Sequence, residues 1–202
     1  MERGRIRDQD AIEFWIRRHS DSELDLHHDS PPLVIQGTGP HNEPVLLIFE
    51  QRVACPRQPL FAFHQDPGHL ADLLRGLTGF RVLRHEGNIA PGSETWTEQM
   101  MLGFVPVVLG FRHTDLDPPH SFQERIIHGP FSRFVHRHEF EARGEETIVR
   151  DQLDVGVPLH FGGELAMRVL LGPWMRSFFA LRHLALEELI AEGAMDSEAL
   201  AR

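Results

Sequence analysis

Residues 131–157 alternate with a period of two between mostly apolar side chains and charged or polar ones. This alternation constrains the fold more than any other feature of the sequence. A period of two is typical of a β-strand with one buried face. A turn at Gly144 would make the segment a hairpin and would place His138 opposite Asp151. Cross-strand partners project on the same face with their Cβ atoms about 5 Å apart, so these two side chains would meet.

The hairpin would have two chemically distinct faces. The first is mostly apolar and consists of Phe134, His136, His138, Phe140, Val149, Asp151, Leu153 and Val155. The second is charged or polar and consists of Arg133, Arg137, Glu139, Glu141, Arg150, Gln152 and Asp154. We therefore predict that the first face is inside the protein and that the second meets solvent.

The rest of the chain predicts helices on one side of a long antiparallel sheet. A β-rich run at 44–55 precedes two short segments that open on Pro56 and Pro67, and we predict that both are helices. Six strand-like segments separated by turn residues fill residues 80–157. The order predicts an α+β fold in which a long C-terminal helix covers the apolar face of the antiparallel sheet.

That C-terminal helix is predicted over residues 161–192, with a kink or break at Gly172-Pro173. We expect its apolar residues to form a stripe that packs on the sheet. They are Leu165, Val169, Phe178, Leu181, Leu184, Leu186 and Leu189.

Two segments divide the chain. We predict that residues 1–43 form an N-terminal extension with a short amphipathic helix at 8–19, and that residues 44–202 form the main domain.

Composition excludes some classes of function and favours others. The formal net charge of −10 argues against a nucleic-acid partner, because neutralising phosphates requires clustered basic residues. Cys55 is the only cysteine, which rules out an intramolecular disulfide and fits a reducing compartment. The longest apolar run, at 101–111, is too short to span a membrane. We therefore expect a cytoplasmic protein without stable membrane insertion; its oligomeric state is left open.

The segment "FQERIIHGPFSRFVHRHEFEARGEETIVRDQLDVGVP" resembles the SRPBCC or START-like helix-grip superfamily, and in particular its polyketide cyclase and lipid-transport-like members. The resemblance extends over roughly residues 44–192. Glu124 stands where an aspartate is usual, Phe134 where a tryptophan is usual and Val155 where a tyrosine is usual. The resemblance implies a helix-grip domain that encloses an apolar cavity, and it leaves the ligand open because the superfamily has many functions.

The inward polar residues of the hairpin allow four interpretations. His138 and Asp151 could be a structural pair that satisfies itself, or a polar anchor in an apolar cavity. They could also be an acid–base pair. A metal site made with His136 is the fourth interpretation, but the spacing of two histidines alone is weak support, and we predict neither a metal nor a cofactor. Elsewhere, Trp96, Met100 and Met101 are expected to line the core or the cavity.

We predict from these observations a protein that binds a hydrophobic small molecule such as a lipid, a quinone or a polyketide-like compound. The alternatives are a cyclase or dehydratase that uses His138 and Asp151, and a protein-interaction module with a vestigial cavity. The residues expected to bind the ligand are Phe134, His136, His138, Phe140, Asp151, Leu153, Val155, Trp174 and Phe178.

Overall fold

The computed structural model describes residues 44–196 and residue 200, so the helix predicted at 8–19 lies outside the described part of the chain. Seven strands are present in this part. They are β1 (Val45–Val53), β2 (Arg81–His85), β3 (Glu94–Met101), β4 (Val105–Asp117), β5 (Ser121–His128), β6 (Arg133–Arg143) and β7 (Glu146–Gly156). All neighbours pair antiparallel in one curved sheet with the order β1-β7-β6-β5-β4-β3-β2. This sheet and the C-terminal helix confirm the predicted α+β helix-grip fold.

The helices occupy two places in the sequence. Between β1 and β2 lie α1 (Arg57–Gln65), a 3-10 turn (Pro67–His69) and α2 (Leu70–Leu73). After β7 come a 3-10 turn (Leu159–Phe161), α3 (Gly163–Ala166), a π-helical turn (Met167–Leu171) and α4 (Gly172–Ala191). Both predicted short helices exist, but the second is mostly a 3-10 turn followed by a single α-helical turn. Among the described residues, none of the helices combines the length and the hydropathy that a membrane span requires.

The hairpin of β6 and β7 has the predicted register. His138 pairs with Asp151 and His136 pairs with Leu153 across the two strands. The side chains that face inward on both strands are buried, while their neighbours in the sequence are partly or fully exposed. The alternation in the sequence therefore identified the two faces correctly, because a one-residue slip would have exchanged them.

The C-terminal helix does not break at Gly172-Pro173. Residues 163–191 form one continuous helical run that includes the π-helical turn just before this pair. The N–H of Gly172 donates to the carbonyl oxygen of Met167, which is a π-type hydrogen bond over five residues. Pro173 then lies in the first turn of α4, where its missing N–H costs little. The irregularity at this point is thus a widened turn.

The predicted apolar stripe of the C-terminal helix is correct for Leu186 and Leu189, which are buried, and wrong for Leu165, Val169 and Leu184. Their exposed fractions are 70%, 61% and 44%. The π-helical turn adds a residue between α3 and α4, so that apolar residues on either side of it do not share one face. The buried stripe of α4 lies along another line of the helix and consists of Gly172, Met175, Phe179, Arg182, His183, Ala185, Leu186 and Leu189.

The helix packs tightly over one part of the sheet and leaves space over another. Phe179 of α4 stacks on Phe49 of β1 with ring centroids 4.2 Å apart. Beside this contact, the inner sides of β3, β4 and β5 face α2 and α4 across a cavity. The structure thus divides the inner face of the sheet into a packed region near β1 and β7 and a hollow region near β3 to β5.

Candidate functional site

The cavity between the sheet and α4 has a volume of about 140 Å³ and is partly open to solvent. Its wall is mostly apolar, as is usual for sites that bind small molecules. Six of the nine residues predicted to bind a ligand lie on this wall. They are Phe134, His136, His138, Leu153, Trp174 and Phe178.

The other three predicted residues face inward but do not lie on the cavity wall. The ring centroids of Phe140 and Phe61 lie 5.3 Å apart, and Phe140 belongs to the core under α1. Val155 is buried in the core near β1. Asp151 is completely buried because charged side chains enclose it. These three side chains are therefore part of the packed interior.

A chain of polar contacts crosses the inner face of the sheet, with one residue from each of four neighbouring strands. His113 Nε2 of β4 lies 3.4 Å from Glu124 Oε2 of β5, and Glu124 Oε1 lies 3.4 Å from His136 Nδ1 of β6. His136 Nε2 lies 3.1 Å from Asp151 Oδ1 of β7. Arg182 of α4 ends the chain by donating from Nη1 to Asp151 Oδ2 at 2.7 Å. The chain thus links the sheet to the helix through buried charges.

Asp151 is ionised at the centre of this chain. Burial alone would raise the pKa of its carboxyl, but the charge of Arg182, the nearby His138 and the hydrogen bond from His136 hold the pKa well below its usual value. The pairing with Arg182 explains how a fully buried carboxylate is tolerated, because a buried charge without a partner is strongly unfavourable.

His136 is held between two carboxylates. Burial works to lower the pKa of its imidazole, yet the hydrogen bonds with Asp151 and Glu124 raise the pKa above its usual value. Burial likewise works to raise the pKa of Glu124, while the hydrogen bond from His136 and the charges of neighbouring histidines lower it. With His136 protonated, two cations (His136 and Arg182) balance two anions (Glu124 and Asp151). The charged cluster is therefore neutral as a whole.

Two further histidines on the cavity wall are uncharged. Burial and the nearby charge of His136 lower the pKa of His138 to about 4. Its Nδ1 lies 2.7 Å from Asp151 Oδ1, but the direction of approach falls outside hydrogen-bond geometry, so this nitrogen is buried without a well-directed partner. Burial and the charge of Arg182 lower the pKa of His64 to about 3. The sequence predicted His138 as the main partner of Asp151. In the structure, the hydrogen bonds with good geometry to Asp151 come from His136 and Arg182.

Glu124, His136 and His138 are the residues that come closest to a metal-binding arrangement in the described part of the chain. Their potential ligand atoms all lie within 4.8 Å of one another. Both ring nitrogens of His136, however, already face carboxylate oxygens, and its raised pKa favours the protonated form, which cannot ligate a metal. The arrangement is thus better described as an ion-pair network than as a metal centre.

We expect the purified protein to contain far less than one equivalent of zinc or iron per chain. A metal would have to displace the proton of His136 and would disturb the balance of charge around it. Elemental analysis by mass spectrometry of protein prepared without chelator measures this directly. About one metal per chain in the native protein, lost on replacement of His136 by alanine but retained on replacement of the exposed His85, would show that the network is a metal centre.

Three members of the chain of contacts, His113, Glu124 and Arg182, were not predicted from the sequence, and the inward face of β3 was assigned wrongly. Glu124 was noted only as a departure from a family pattern, although it follows Phe122 at the spacing of two that marks the inner face of β5. Arg182 was missed because a charged residue interrupts the apolar stripe of α4.

On β3, Trp96 lies on the outer face of the sheet, where it covers Gly110 of β4 and donates from Nε1 to Glu94 at 3.0 Å. The prediction that Trp96 lines the core or the cavity is therefore wrong, and Thr95 and Thr97 face inward instead.

A curved antiparallel sheet around a long C-terminal helix, with an apolar cavity between them, defines the class of START-like helix-grip proteins. The chain belongs to the family described as polyketide cyclase / dehydrase and lipid transport, whose sequence profile matches residues 53–177. Members of this class have a fold that binds hydrophobic ligands. Comparison with curated protein sequences gives no significant match.

Solved structures share the fold at low sequence identity. Protein Ms6760 from Mycobacterium smegmatis is 14% identical with a TM-score of 0.60, and the match covers 80% of this chain and 99% of that protein. A START superfamily protein from the same organism is 16% identical with a TM-score of 0.57 and coverages of 73% and 97%. A point mutant of norcoclaurine synthase from Thalictrum flavum, in complex with a transition-state analogue, is 17% identical with a TM-score of 0.53 and coverages of 76% and 99%. At these identities the comparison establishes the fold alone.

Proposed function

We propose that this protein carries or senses a hydrophobic small molecule, such as a lipid, a quinone or a polyketide-like compound, in the cavity between the sheet and α4. The observation that supports this proposal most is the cavity itself, whose wall is mainly apolar and carries a few convergent polar groups. Membership of a family described by polyketide chemistry and lipid transport supports the same class of ligand. In this proposal residues 44–202 are the binding domain and residues 1–43 are an extension to it.

The size of the cavity favours a ring-sized apolar group. Its volume of about 140 Å³ is close to that of an engineered apolar cavity of about 150 Å³ that accommodates benzene. Because the cavity is partly open, a larger ligand could enclose one ring and extend the remainder toward solvent. The residues that we propose to contact the enclosed part are Phe134, His136, His138, Leu153, Trp174 and Phe178.

We expect an environment-sensitive apolar dye to bind the folded protein with about one site per chain. Gln99 lies on the cavity wall and is only partly buried, so Gln99→Trp should fill the cavity without disturbing the packed core and should weaken dye binding at least tenfold. Leu153→Trp fills the cavity from β7 and should also block the dye, although Leu153 is more tightly packed. Fluorescence titration measures binding, and circular dichroism checks that each variant is folded.

The matched control is Val108→Trp, which adds the same side chain to a neighbouring strand at an exposed position. This variant should bind the dye like the native protein. If Gln99→Trp and Leu153→Trp are folded and bind the dye normally, the cavity is not the binding site. If the dye binds only on partial unfolding, the interaction-module alternative gains support.

An enzyme is the second candidate, and the position of His136 supports it. An imidazole on the wall of an apolar cavity, whose pKa is raised by Asp151 and Glu124, has the chemistry of a general acid. The pKa of His138 is about 4, so His136 is a better proton donor than the His138 of the sequence-based alternative. Norcoclaurine synthase, which has a similar fold, is an enzyme. Recovery of a chemically altered compound after incubation with polyketide-like molecules would favour this candidate over a carrier.

A further inference from the structure

The inner face of β3 carries a row of polar side chains that the charged network does not use. Thr95, Thr97 and Gln99 occupy alternate positions of the strand, and all three lie on the cavity wall. Trp96 and Glu98, between them, point to the outer face. Thr95 and Thr97 are each only 4% exposed. The row faces the same cavity as His136 and His138, but it lies on β3, which is separated from their strand by β4 and β5.

The two threonine hydroxyls make no side-chain hydrogen bond with the residues that the structure describes, and they are not among its fully enclosed unpartnered atoms, so both oxygens remain accessible from the cavity. The other buried hydroxyl side chains in this part of the protein do have partners. Thr147 donates to the carbonyl oxygen of Cys55 at 2.7 Å, and Ser121 accepts from Arg137 at 3.0 Å. Buried polar groups are normally hydrogen-bonded, because an unsatisfied one costs free energy. The hydroxyls of Thr95 and Thr97 are therefore available to a molecule in the cavity.

The opposite side of the cavity limits the charge of such a molecule. Glu124, His136 and Arg182 lie on the wall, and together with Asp151 they form the electrically balanced network described above. A carboxylate or ammonium group of a ligand would add a charge that no residue of the network is free to balance. The buried part of the wall is therefore suited to a neutral ligand. Its unused polar atoms are the hydroxyls on β3 together with Nε2 of His64 and Nδ1 of His138.

We propose that Thr95, Thr97 and Gln99 form an anchoring subsite for the oxygen atoms of a neutral, oxygenated aromatic ligand, such as a polyphenol or a hydroxyquinone. Alternate residues of a strand are about 7 Å apart, so the subsite fits hydroxyl or carbonyl groups at similar separation on a fused ring. The rings of Phe111, Phe134 and Phe178 lie on the cavity wall and would contact the ring of the ligand. This inference rests on the proposed function and narrows its class of ligand.

The test compares three probes of similar shape: 2,6-dihydroxynaphthalene, naphthalene and naphthalene-2-carboxylate. We expect the native protein to bind the diol more tightly than the hydrocarbon and the carboxylate most weakly. Thr95→Val with Thr97→Val removes both hydroxyls at nearly constant volume. It should weaken binding of the diol roughly tenfold, since two neutral hydrogen bonds are lost, and should change binding of naphthalene less than twofold. Titration calorimetry measures all three affinities.

Two control variants make the result specific. Thr114→Val removes an exposed hydroxyl on β4 that bonds to the carbonyl oxygen of Gln123, and it should leave all three affinities unchanged. Thr95→Ser with Thr97→Ser keeps both hydroxyls and should keep the preference for the diol. Retained naphthalene binding shows that the valine variant is folded.

The outcomes separate this inference from the proposed function. If the native protein binds none of the aromatic probes, the proposed function fails, and the inference fails with it. If naphthalene and the diol both bind, and the valine variant binds the diol as the native protein does, the cavity is confirmed but the anchoring subsite is disproved. Tighter binding of the carboxylate than of the diol would also overturn the inference, because it would show an unbalanced positive charge in the cavity.

Discussion

Replacing Asp151 with alanine is expected to lower the free energy of unfolding by about 3–5 kcal/mol, which approaches the whole stability of many domains. The reason is the charge that the substitution leaves behind. Arg182 is 4% exposed and donates to Asp151 at 2.7 Å, so its guanidinium would remain buried without this partner. His136 would lose one of its two carboxylates as well. Urea unfolding at pH 7, followed by circular dichroism, measures the change.

Asp154 provides the matched control on the same strand. Its side chain lies on the outer face and pairs with Arg133 at 2.6 Å where solvent reaches both groups. Asp154→Ala should therefore change stability by about 0.5 kcal/mol or less. Adding Arg182→Met to Asp151→Ala should restore part of the lost stability, because the stranded cation is removed. Equal effects of the two alanine substitutions would contradict the central role that we assign to Asp151.

The second large effect concerns pH: the domain is expected to lose about 3 kcal/mol of stability between pH 7 and pH 5. Burial lowers the pKa of His64 to about 3 and the pKa values of His138 and His183 to about 4, against a usual value of 6.5. In this interval the unfolded chain takes up protons at these positions and the native state does not. Each such histidine then lowers the free energy of unfolding by up to about 1.4 kcal/mol for every pH unit below 6.5.

The remaining groups of the network modify this dependence without reversing it. The pKa of His136 is raised in the folded state, so its contribution to stability is fully present below 6.5 and is lost as the pH rises through its folded pKa. Protonation of His136 therefore offsets part of the stability that is lost on acidification. The pKa values of Asp151 and Glu124 are lowered, so their contributions are present above their unfolded values and are lost only in more acidic solution.

Unfolding by urea at several pH values measures this dependence. His64→Gln removes one of the three groups and should reduce the slope of stability against pH between 6.5 and 5. His85→Gln changes an exposed histidine and should leave the slope as it is. A native protein whose stability is constant from pH 7 to pH 5, or a slope that is the same in His64→Gln, would show that these histidines are not held neutral by burial.

The sequence alone determined the features that depend on local periodicity. The alternation over residues 131–157 gave the two faces of the β6–β7 hairpin and the pairing of His138 with Asp151. This was possible because a strand exposes successive side chains on opposite faces, and only one register buries the apolar set. The order of elements and the resemblance of one segment to a known superfamily were sufficient to predict the helix-grip fold.

Only the tertiary structure decided which charged groups meet and how far the cavity extends along the sheet. Asp151 and Arg182 are 31 residues apart, and their contact depends on how α4 crosses the sheet after the π-helical turn. That turn also decided that Leu165 and Val169 remain exposed. On β3, the bulky Trp96 lies outside because Gly110 leaves room for its ring on the outer face, which turns Thr95 and Thr97 toward the cavity. These contacts and orientations depend on the side chains of neighbouring elements. They therefore cannot be predicted from the periodicity of a single strand or helix.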